Sequence, residues 1–262
     1  MMRWAGKWLV LRSLGLFVGC LLSAAVMAAT TSQSGPATVV QYREFPHGRP
    51  PYVTRLLVTP GYIRFDEGRA QGNYMLFVRA TRTLYSVDRG DGTVLVIAPR
   101  KVAVKSPIPL KLSKRYEQVP GAPRIGGRQA LHYTFYANGD RCMDAMVVPG
   151  LLDGVRRALM TYKATLAGQQ AADLDKTPRS MQTACSLADL IFAPDRVLRL
   201  GMPIVEWHPN GDRKELTDYR HGADVRAALF ALPSDYRYYR IGAQGMAPAQ
   251  APLHLPSPWP RN

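Results

Sequence analysis

Short runs of β-branched and aromatic residues, separated by Pro and Gly, fill the first half of the chain. Such runs predict β-strands, which we place at 38–45, 53–59, 62–66, 74–79, 83–88 and 93–98. Later strands are predicted at 130–137, 142–148, 204–208 and 214–219, with an edge strand and loop at 102–116. Asp-Gly and Asn-Gly pairs at 91–92, 138–139 and 210–211 predict hairpin turns, because these residues tolerate positive φ. The predicted sheet is therefore antiparallel.

Helical spacing interrupts the strand pattern after Pro149. Apolar residues recur there at helical intervals, at Leu151, Leu152, Val155, Leu159, Tyr162 and Leu166. This spacing predicts a helix that ends at Gly168. A second helix is predicted to start with Thr177 as N-cap and Pro178 in its first position and to run towards Phe192.

Two of the predicted strands, 74–78 and 94–98, are apolar at successive positions, so both of their faces need cover. An antiparallel sheet normally leaves one face polar. The two helices can cover one face. The other face then meets a second sheet, a curled part of the same sheet, or an apolar ligand. Candidates to line such a ligand cavity are Tyr74, Leu76, Val78, Val94, Val96, Leu152 and Leu159. An ordinary sandwich or barrel core remains the alternative.

The N-terminal residues 1–28 have the features of a cleavable signal peptide, namely early cations without acids, an apolar stretch, and small residues ending at Ala28. A retained membrane anchor and a lipoprotein modified at Cys20 are the alternatives. The sequence therefore predicts export to the periplasm, with a flexible leader at 29–37 and a single β-rich domain at 38–241. The segment 242–262, rich in Pro and Ala, is predicted to be a disordered tail.

Composition supports a folded and exported protein. The chain has 262 residues, of which 47% are hydrophobic, which argues against global disorder. Its formal charge of +15 falls to about +12 when the three cations of the predicted signal peptide are removed. Only Cys142 and Cys185 then remain, and an oxidising compartment favours their disulfide. In the chain-entropy model this bridge contributes up to ~4 kcal/mol. Two buried free thiols are the alternative.

A basic segment without any acid runs from Arg100 to Arg115. Its cations are Arg100, Lys101, Lys105, Lys111, Lys114 and Arg115. Such a run suits an anionic membrane surface or an acidic envelope protein. A solvated sheet edge, whose lysines discourage aggregation, explains it equally well. Aromatic residues do not interleave with it as nucleic-acid binding requires, so nucleic acid is not an expected partner.

Motifs for catalysis are not found in the sequence: there is no nucleophile elbow, zinc-protease helix, phosphate loop or dinucleotide fingerprint. The histidines are scattered without metal-ligand spacing, at 47, 132, 208, 221 and 254. We therefore expect no catalytic residue, metal ligand or cofactor, and predict that the protein is not an enzyme.

Several segments together resemble a known family. They are Gly61–Asp66, Tyr74–Phe77, Thr83–Val87 and Leu229–Tyr236, which follow a signal peptide and flank inserted helices. This arrangement resembles the proteobacterial periplasmic proteins related to the LolA/LolB lipoprotein carriers. The resemblance implies an α+β, mainly β fold: a strongly curved, unclosed antiparallel sheet, or half-barrel, with two inserted helices on its concave side.

The same resemblance implies a function. The expected protein is a non-enzymatic periplasmic binding protein that holds a lipid or a lipoprotein acyl chain in an apolar cavity. The alternative is an envelope-stress sensor or interaction protein that uses its basic surface against anionic lipid or protein.

Overall fold

The computed structural model describes residues 34–69, 71–242 and 245–260. The predicted signal peptide, Cys20 and the first part of the predicted leader lie outside the described residues. The first strand begins at Ser34, four residues before the predicted start at Thr38. Residues 34–37 are strand rather than flexible leader because they pair with residues 223–226.

The described residues are mainly β-structure with two α-helices. The strands are β1 (Ser34–Phe45), β2 (Tyr52–Val58), β3 (Tyr62–Asp66), β4 (Tyr74–Val78), β5 (Thr83–Asp88), β6 (Thr93–Ile97), β7 (Leu112–Glu117), β8 (Arg124–Ile125), β9 (Arg128–Gln129), β10 (Leu131–Ala137), β11 (Asp140–Val148), β12 (Met202–Trp207), β13 (Arg213–Arg226), β14 (Arg237–Gly242) and β15 (Gly245–Ala249). The helices are α1 (Asp153–Ala172) and α2 (Ala184–Leu187).

Thirteen strands form one sheet in the order β15-β14-β6-β5-β4-β3-β2-β1-β13-β12-β11-β10-β7, and β8 and β9 form a separate small hairpin. The sheet is not closed, because β15 and β7 lie at its two ends. The prediction of a mainly β protein with two helices is confirmed. The sheet is mixed rather than purely antiparallel, since β14 pairs parallel to β6. This pairing arises because the chain returns from β13 in the middle of the sheet to its far edge.

The predicted hairpin turns are present. Gly139 and Gly211 have φ values of 93° and 94°, which a residue with a Cβ adopts only with strain. These glycines join β10 to β11 and β12 to β13. Local turn chemistry therefore fixes the register of both hairpins.

Helix α1 matches its predicted start but continues past Gly168 to Ala172. Gly168 lies inside the helix, and a Cβ there would collide with the carbonyl oxygen of Arg100. Because Gly168 has no side chain, the segment that follows β6 can cross closely over α1 at this point. Gly168 does not end the helix.

The predicted start of the second helix is wrong. Thr177 and Pro178 have extended ψ values of 129° and 140°, and only a 3-10 turn follows them. The N-cap of α2 is Thr183, whose hydroxyl accepts a hydrogen bond from the backbone N–H of Ser186 at 3.1 Å. The side-chain amide of Gln182 donates to the carbonyl oxygens of Leu174 and Thr177, which holds the connection in this non-helical form.

Both faces of strands β1–β6 are buried, as their successive apolar residues predict. We call the face under α1 the helix-side face; its buried strand residues are Val40, Tyr42, Leu56, Val58, Ile63, Phe77 and Leu84. The opposite face, which we call the C-terminal face, buries Val39, Leu57, Tyr62, Tyr74, Leu76, Val78, Tyr85, Val87 and Val94. Residues of the last part of the chain cover this second face, among them Phe230, Tyr238, Leu255 and Trp259.

The C-terminal residues therefore differ from the predicted disordered tail. Residues 245–249 of β15 pair with residues 238–242 of β14, and Trp259 packs against Phe230 with ring centroids 6.1 Å apart. Leu255 and Trp259 bury apolar surface on the sheet. The protein's own C-terminal part therefore covers the second face.

The predicted disulfide between Cys142 and Cys185 is present, with Cα atoms 5.2 Å apart. It connects β11 to α2, as the position of Cys185 on the second helix implies. Ala137, Ala184 and Ala188 pack around it.

Candidate functional site

A cavity of about 410 Å³ lies on the helix-side face, between α1 and one end of strands β1–β5. We call it the helix-side pocket. Phe65, Met75 and Tyr162 are partly buried and form its apolar part. Its polar lining residues include Glu44, Tyr52, Asn73, Asp88 and Lys214. Further polar lining residues are Thr54, Asp66, Glu67 and Ser86. Apolar surface combined with polar groups is what a small-molecule site offers.

Strand register brings the floor of this pocket together. Phe65 pairs with Met75, and Met75 pairs with Ser86, so the three residues form one row across β3, β4 and β5. Cross-strand partners share a face of the sheet. Tyr162 reaches the same row from α1, with its ring centroid 4.8 Å from that of Phe65. Burial raises the pKa of Tyr162 to about 12, so its hydroxyl is neutral at physiological pH.

Charges of both signs surround the mouth of the pocket. Glu44 and Lys214 form an ion pair at 3.2 Å, and the Lys214 ammonium lies 4.4 Å from the centroid of the Tyr42 ring. The Asp88 carboxylate accepts hydrogen bonds from the backbone N–H groups of Gly90 and Asp91, which shape the following turn. These groups can bind the polar end of a ligand whose apolar body rests on the floor.

A buried ion-pair network lies beside the pocket at the end of β3. The Asp66 side chain has no exposed surface and accepts from Arg55 at 2.8 Å and from Arg64 at 2.6 Å. Burial opposes ionisation of Asp66, but hydrogen bonds from Arg55, Arg64 and the Gly68 N–H outweigh it and lower the pKa of the carboxyl. Arg64 also donates to the carbonyl oxygen of Leu229 at 2.6 Å. The network therefore ties the sheet to the C-terminal part of the chain.

The residues predicted to line one cavity do not share one face. Five lie on the C-terminal face, namely Tyr74, Leu76, Val78, Val94 and Val96. Leu152 and Leu159 pack on the helix-side face. Of the seven, Tyr74 also contributes to the lining of the helix-side pocket. Met75 and Phe65 belong to that pocket but were not among the predicted residues, although the two-residue period of a strand places Met75 opposite Tyr74 and Leu76.

The basic segment presents its cations to solvent. All six of its cations, Arg100, Lys101, Lys105, Lys111, Lys114 and Arg115, lie on the surface. Within the described part of the chain, Arg115 alone among them forms an ion pair, with Glu117. The last two cations lie on β7, the edge strand of the sheet.

Contacts at both ends fix the path of this segment. The Gln169 side-chain amide donates to the carbonyl oxygen of Ala98 at one end. At the other end, Asn138 donates to the carbonyl oxygen of Pro109 and accepts from the N–H of Lys111, both at 2.8 Å. Ile108 and Leu110 pack against the disulfide cluster. These contacts therefore hold the basic segment in one path, with its cations exposed.

One buried polar network was not expected from the sequence. The Asp144 side chain is 1% exposed and accepts from Thr134 and Arg141, each at 2.7 Å. His132 lies 3.2 Å from Asp144 and 3.3 Å from Glu117, so both of its ring nitrogens have partners. An acid within the otherwise apolar strand 142–148 is the signal that could have revealed it. Because His132 is engaged on both sides and stacked on Trp207, the network is structural.

Across residues 34–69, 71–242 and 245–260, no group of three or more His, Cys, Asp or Glu side chains is arranged to hold a metal ion. No helix in this described part is long and apolar enough to cross a membrane.

Known proteins give little to compare with this site. No protein-family model and no curated protein matches the chain. Two solved structures of PNGF-II, in C2 and P21 space groups, share 8% and 6% identity with it, at TM-scores of 0.37 and 0.34. The matched regions cover 80% and 78% of this chain but only 31% of each PNGF-II chain. A likeness at this level supports neither a fold assignment nor a function.

Proposed function

We propose that this protein is a non-enzymatic periplasmic binding protein that holds a lipid or a lipoprotein acyl chain in the helix-side pocket. The observation that carries the proposal is the cavity of about 410 Å³ that Phe65, Met75 and Tyr162 leave unfilled beneath α1. The proposal includes a cleaved signal peptide and a sheet curved into a half-barrel with α1 on its concave side. The disulfide is compatible with an oxidising compartment.

The chemistry of the pocket suits an amphipathic ligand. Each methylene that moves from water onto the apolar floor contributes about 0.8 kcal/mol. Tyr162 offers a large neutral ring surface, and the polar groups at the mouth keep a head group in contact with water. The floor therefore suits a chain of methylenes.

Filling the pocket tests this proposal. Met75→Trp places a larger side chain on the floor, and we expect it to weaken binding of a fluorescent fatty acid by at least about tenfold, because bound methylenes lose their contact area. Met246→Trp is the matched control, since Met246 is 72% exposed on β15. It should bind like the unchanged protein. Absence of uptake by the unchanged protein, or equal uptake by Met75→Trp, contradicts the proposal.

A second function is favoured by the basic segment, whose cations are exposed and, apart from Arg115, have no ion pair in the described residues. We propose that this segment associates with an anionic membrane surface or envelope protein. Each basic residue near an anionic leaflet contributes about 1 kcal/mol. Glu117 is the acid that pairs with the segment, so most of its charge is available.

Neutralising four lysines tests this second function. Changing Lys101, Lys105, Lys111 and Lys114 to Gln should abolish cosedimentation with phosphatidylglycerol vesicles, because about 1 kcal/mol is lost for each charge. The same four positions changed to Arg should retain it, and added salt should weaken it. Binding that survives the Gln changes, or that is equal on phosphatidylcholine vesicles, rules out this role.

A further inference from the structure

Residues 251–260, which we call the strap, lie across the C-terminal face and include four prolines. Three hydrogen bonds hold its end, two donated to the strap by Gly61 and Tyr62 and one donated by the strap to β1. The Gly61 N–H donates to the carbonyl oxygen of Pro258 at 3.0 Å, and the Tyr62 hydroxyl donates to that of Pro256. The Trp259 indole N–H donates to the carbonyl oxygen of Pro36 on β1 at 2.7 Å.

The groove beneath the strap is built from aromatic rings. Tyr62 and Phe230 stack with centroids 5.6 Å apart, and Trp259 meets Phe230 edge to face. Tyr238 lies in the same groove. Aromatic walls combined with donors aimed at backbone carbonyls form the general recognition mode for proline-rich segments, which lose little conformational entropy on binding.

Two glycines leave room for the strap. A Cβ at Gly35 would lie 2.7 Å from the Trp259 ring, and one at Gly61 would lie 2.8 Å from the carbonyl oxygen of Ser257. Neither glycine has a φ in the left-handed region, so backbone conformation does not require them. Their missing side chains serve the close approach of a chain at this place.

The strap fills the groove incompletely. A cavity of about 540 Å³ remains between it and the sheet, beside Leu232, Ser234 and Leu255. Leu253 is 95% exposed, so the middle of the strap contributes little apolar contact. The contacts that hold it are concentrated at residues 256–259.

We propose that this groove is a docking site for an extended proline-rich segment with a tryptophan, supplied by a partner protein, and that the strap is its intramolecular competitor. The strap itself defines the partner's chemistry, because a segment of that composition already satisfies the two donors, the Pro36 carbonyl and the aromatic walls. A tethered competitor acts at an effective concentration of about millimolar, so the partner binds when the strap is weakened or outcompeted. The groove lies on the face of the sheet opposite α1, so this proposal does not rest on the ligand proposed for the helix-side pocket.

A peptide with the sequence of residues 251–260 is the probe. Labelled peptide is titrated into the full chain and into Trp259→Ala, and binding is followed by fluorescence polarisation. We expect Trp259→Ala to bind it at least about tenfold more tightly than the unchanged chain, because the weakened strap occupies the groove less. A peptide with alanine in place of its tryptophan should not bind. Gly61→Ala combined with Trp259→Ala should also lose binding, since the new Cβ occupies the position of the bound backbone.

Hydrogen exchange on the unchanged chain gives an answer that does not depend on how any variant folds. The Gly61 amide is protected by Pro258, whereas Ile63 lies in the buried core. Release of the strap should let Gly61 exchange at least about 100-fold faster than Ile63. The proposal is overturned if both amides exchange together, if Trp259→Ala does not bind the peptide, or if light scattering shows that a second copy of the chain supplies the strap in a dimer.

Discussion

Asp66→Ala is expected to lower the free energy of unfolding by about 3–5 kcal/mol, as removal of one partner from a buried ion pair does. The side chain of Arg64 is 4% exposed, and its cation would lose the carboxylate that neutralises it. The guanidinium lies 3.8 Å from the centroid of the Tyr74 ring, and this contact alone does not replace an anion. Urea unfolding at neutral pH, followed by circular dichroism, measures the loss.

Arg55→Ala is the matched control at the same carboxylate. The Arg55 side chain is 25% exposed, and its removal leaves Asp66 paired with Arg64. We expect a smaller loss, of about 1–2 kcal/mol. If Asp66→Ala costs no more than Arg55→Ala, the buried pair does not stabilise the fold in the way described.

At acid pH, Asp66→Ala and the unchanged protein should have the same free energy of unfolding. The folded-state pKa of Asp66 lies below its ordinary value of 3.8, so the carboxylate stabilises the folded state fully above that value. The contribution decreases as the pH falls below about 4 and through the lowered pKa. Unfolding curves recorded from pH 7 downwards should therefore converge at the acid end.

Loss of the disulfide has the second largest expected effect. The Cys142→Ala and Cys185→Ala double variant should lose about 2–4 kcal/mol, because the bridge closes a 43-residue loop and so restricts the unfolded chain. α2 has only four residues and depends on this link for its place against β11. The basic segment also packs on the bridge through Ile108 and Leu110.

Reductant provides the control for this variant. Dithiothreitol should lower the stability of the unchanged protein to that of the double variant and should leave the double variant unaffected. Calorimetry of both proteins, with and without dithiothreitol, measures the change in stability of each. Equal stability of the oxidised and reduced protein would contradict a stabilising role for the bridge.

The strands and hairpins could be predicted because their signals are local. Alternation, β-branched residues and Asp-Gly or Asn-Gly turns act over a few residues. The doubly apolar strands also indicated two covered faces. Tyr74 and Leu159, which were predicted to line one cavity, lie on opposite faces, and the period of two along β4 separates Tyr74 from Met75.

The cover of the second face could not be predicted from local pattern. The strap has no period, and its burial depends on Trp259 meeting Gly35 and Pro36, more than 220 positions away. The start of α2 could not be predicted for a different reason. Thr177 and Thr183 are both good N-caps, and the hydrogen bonds of Gln182 decide between them.

The position of β1 in the middle of the sheet affects how the chain can fold. We expect the hairpins from β1 to β6 to form early, because they are local in the chain. The free edge of β1 can pair only once β13 is available, and the free edge of β6 only once β14 is available. Gln41 and its partner Thr217 are 176 positions apart, which at about 5–20 residues per second takes roughly 10 to 35 seconds of synthesis. Both edges of this nascent sheet stay open for that time and can pair with other chains. We therefore expect the protein to fold slowly for its size and to be most prone to aggregation before its last 50 residues emerge.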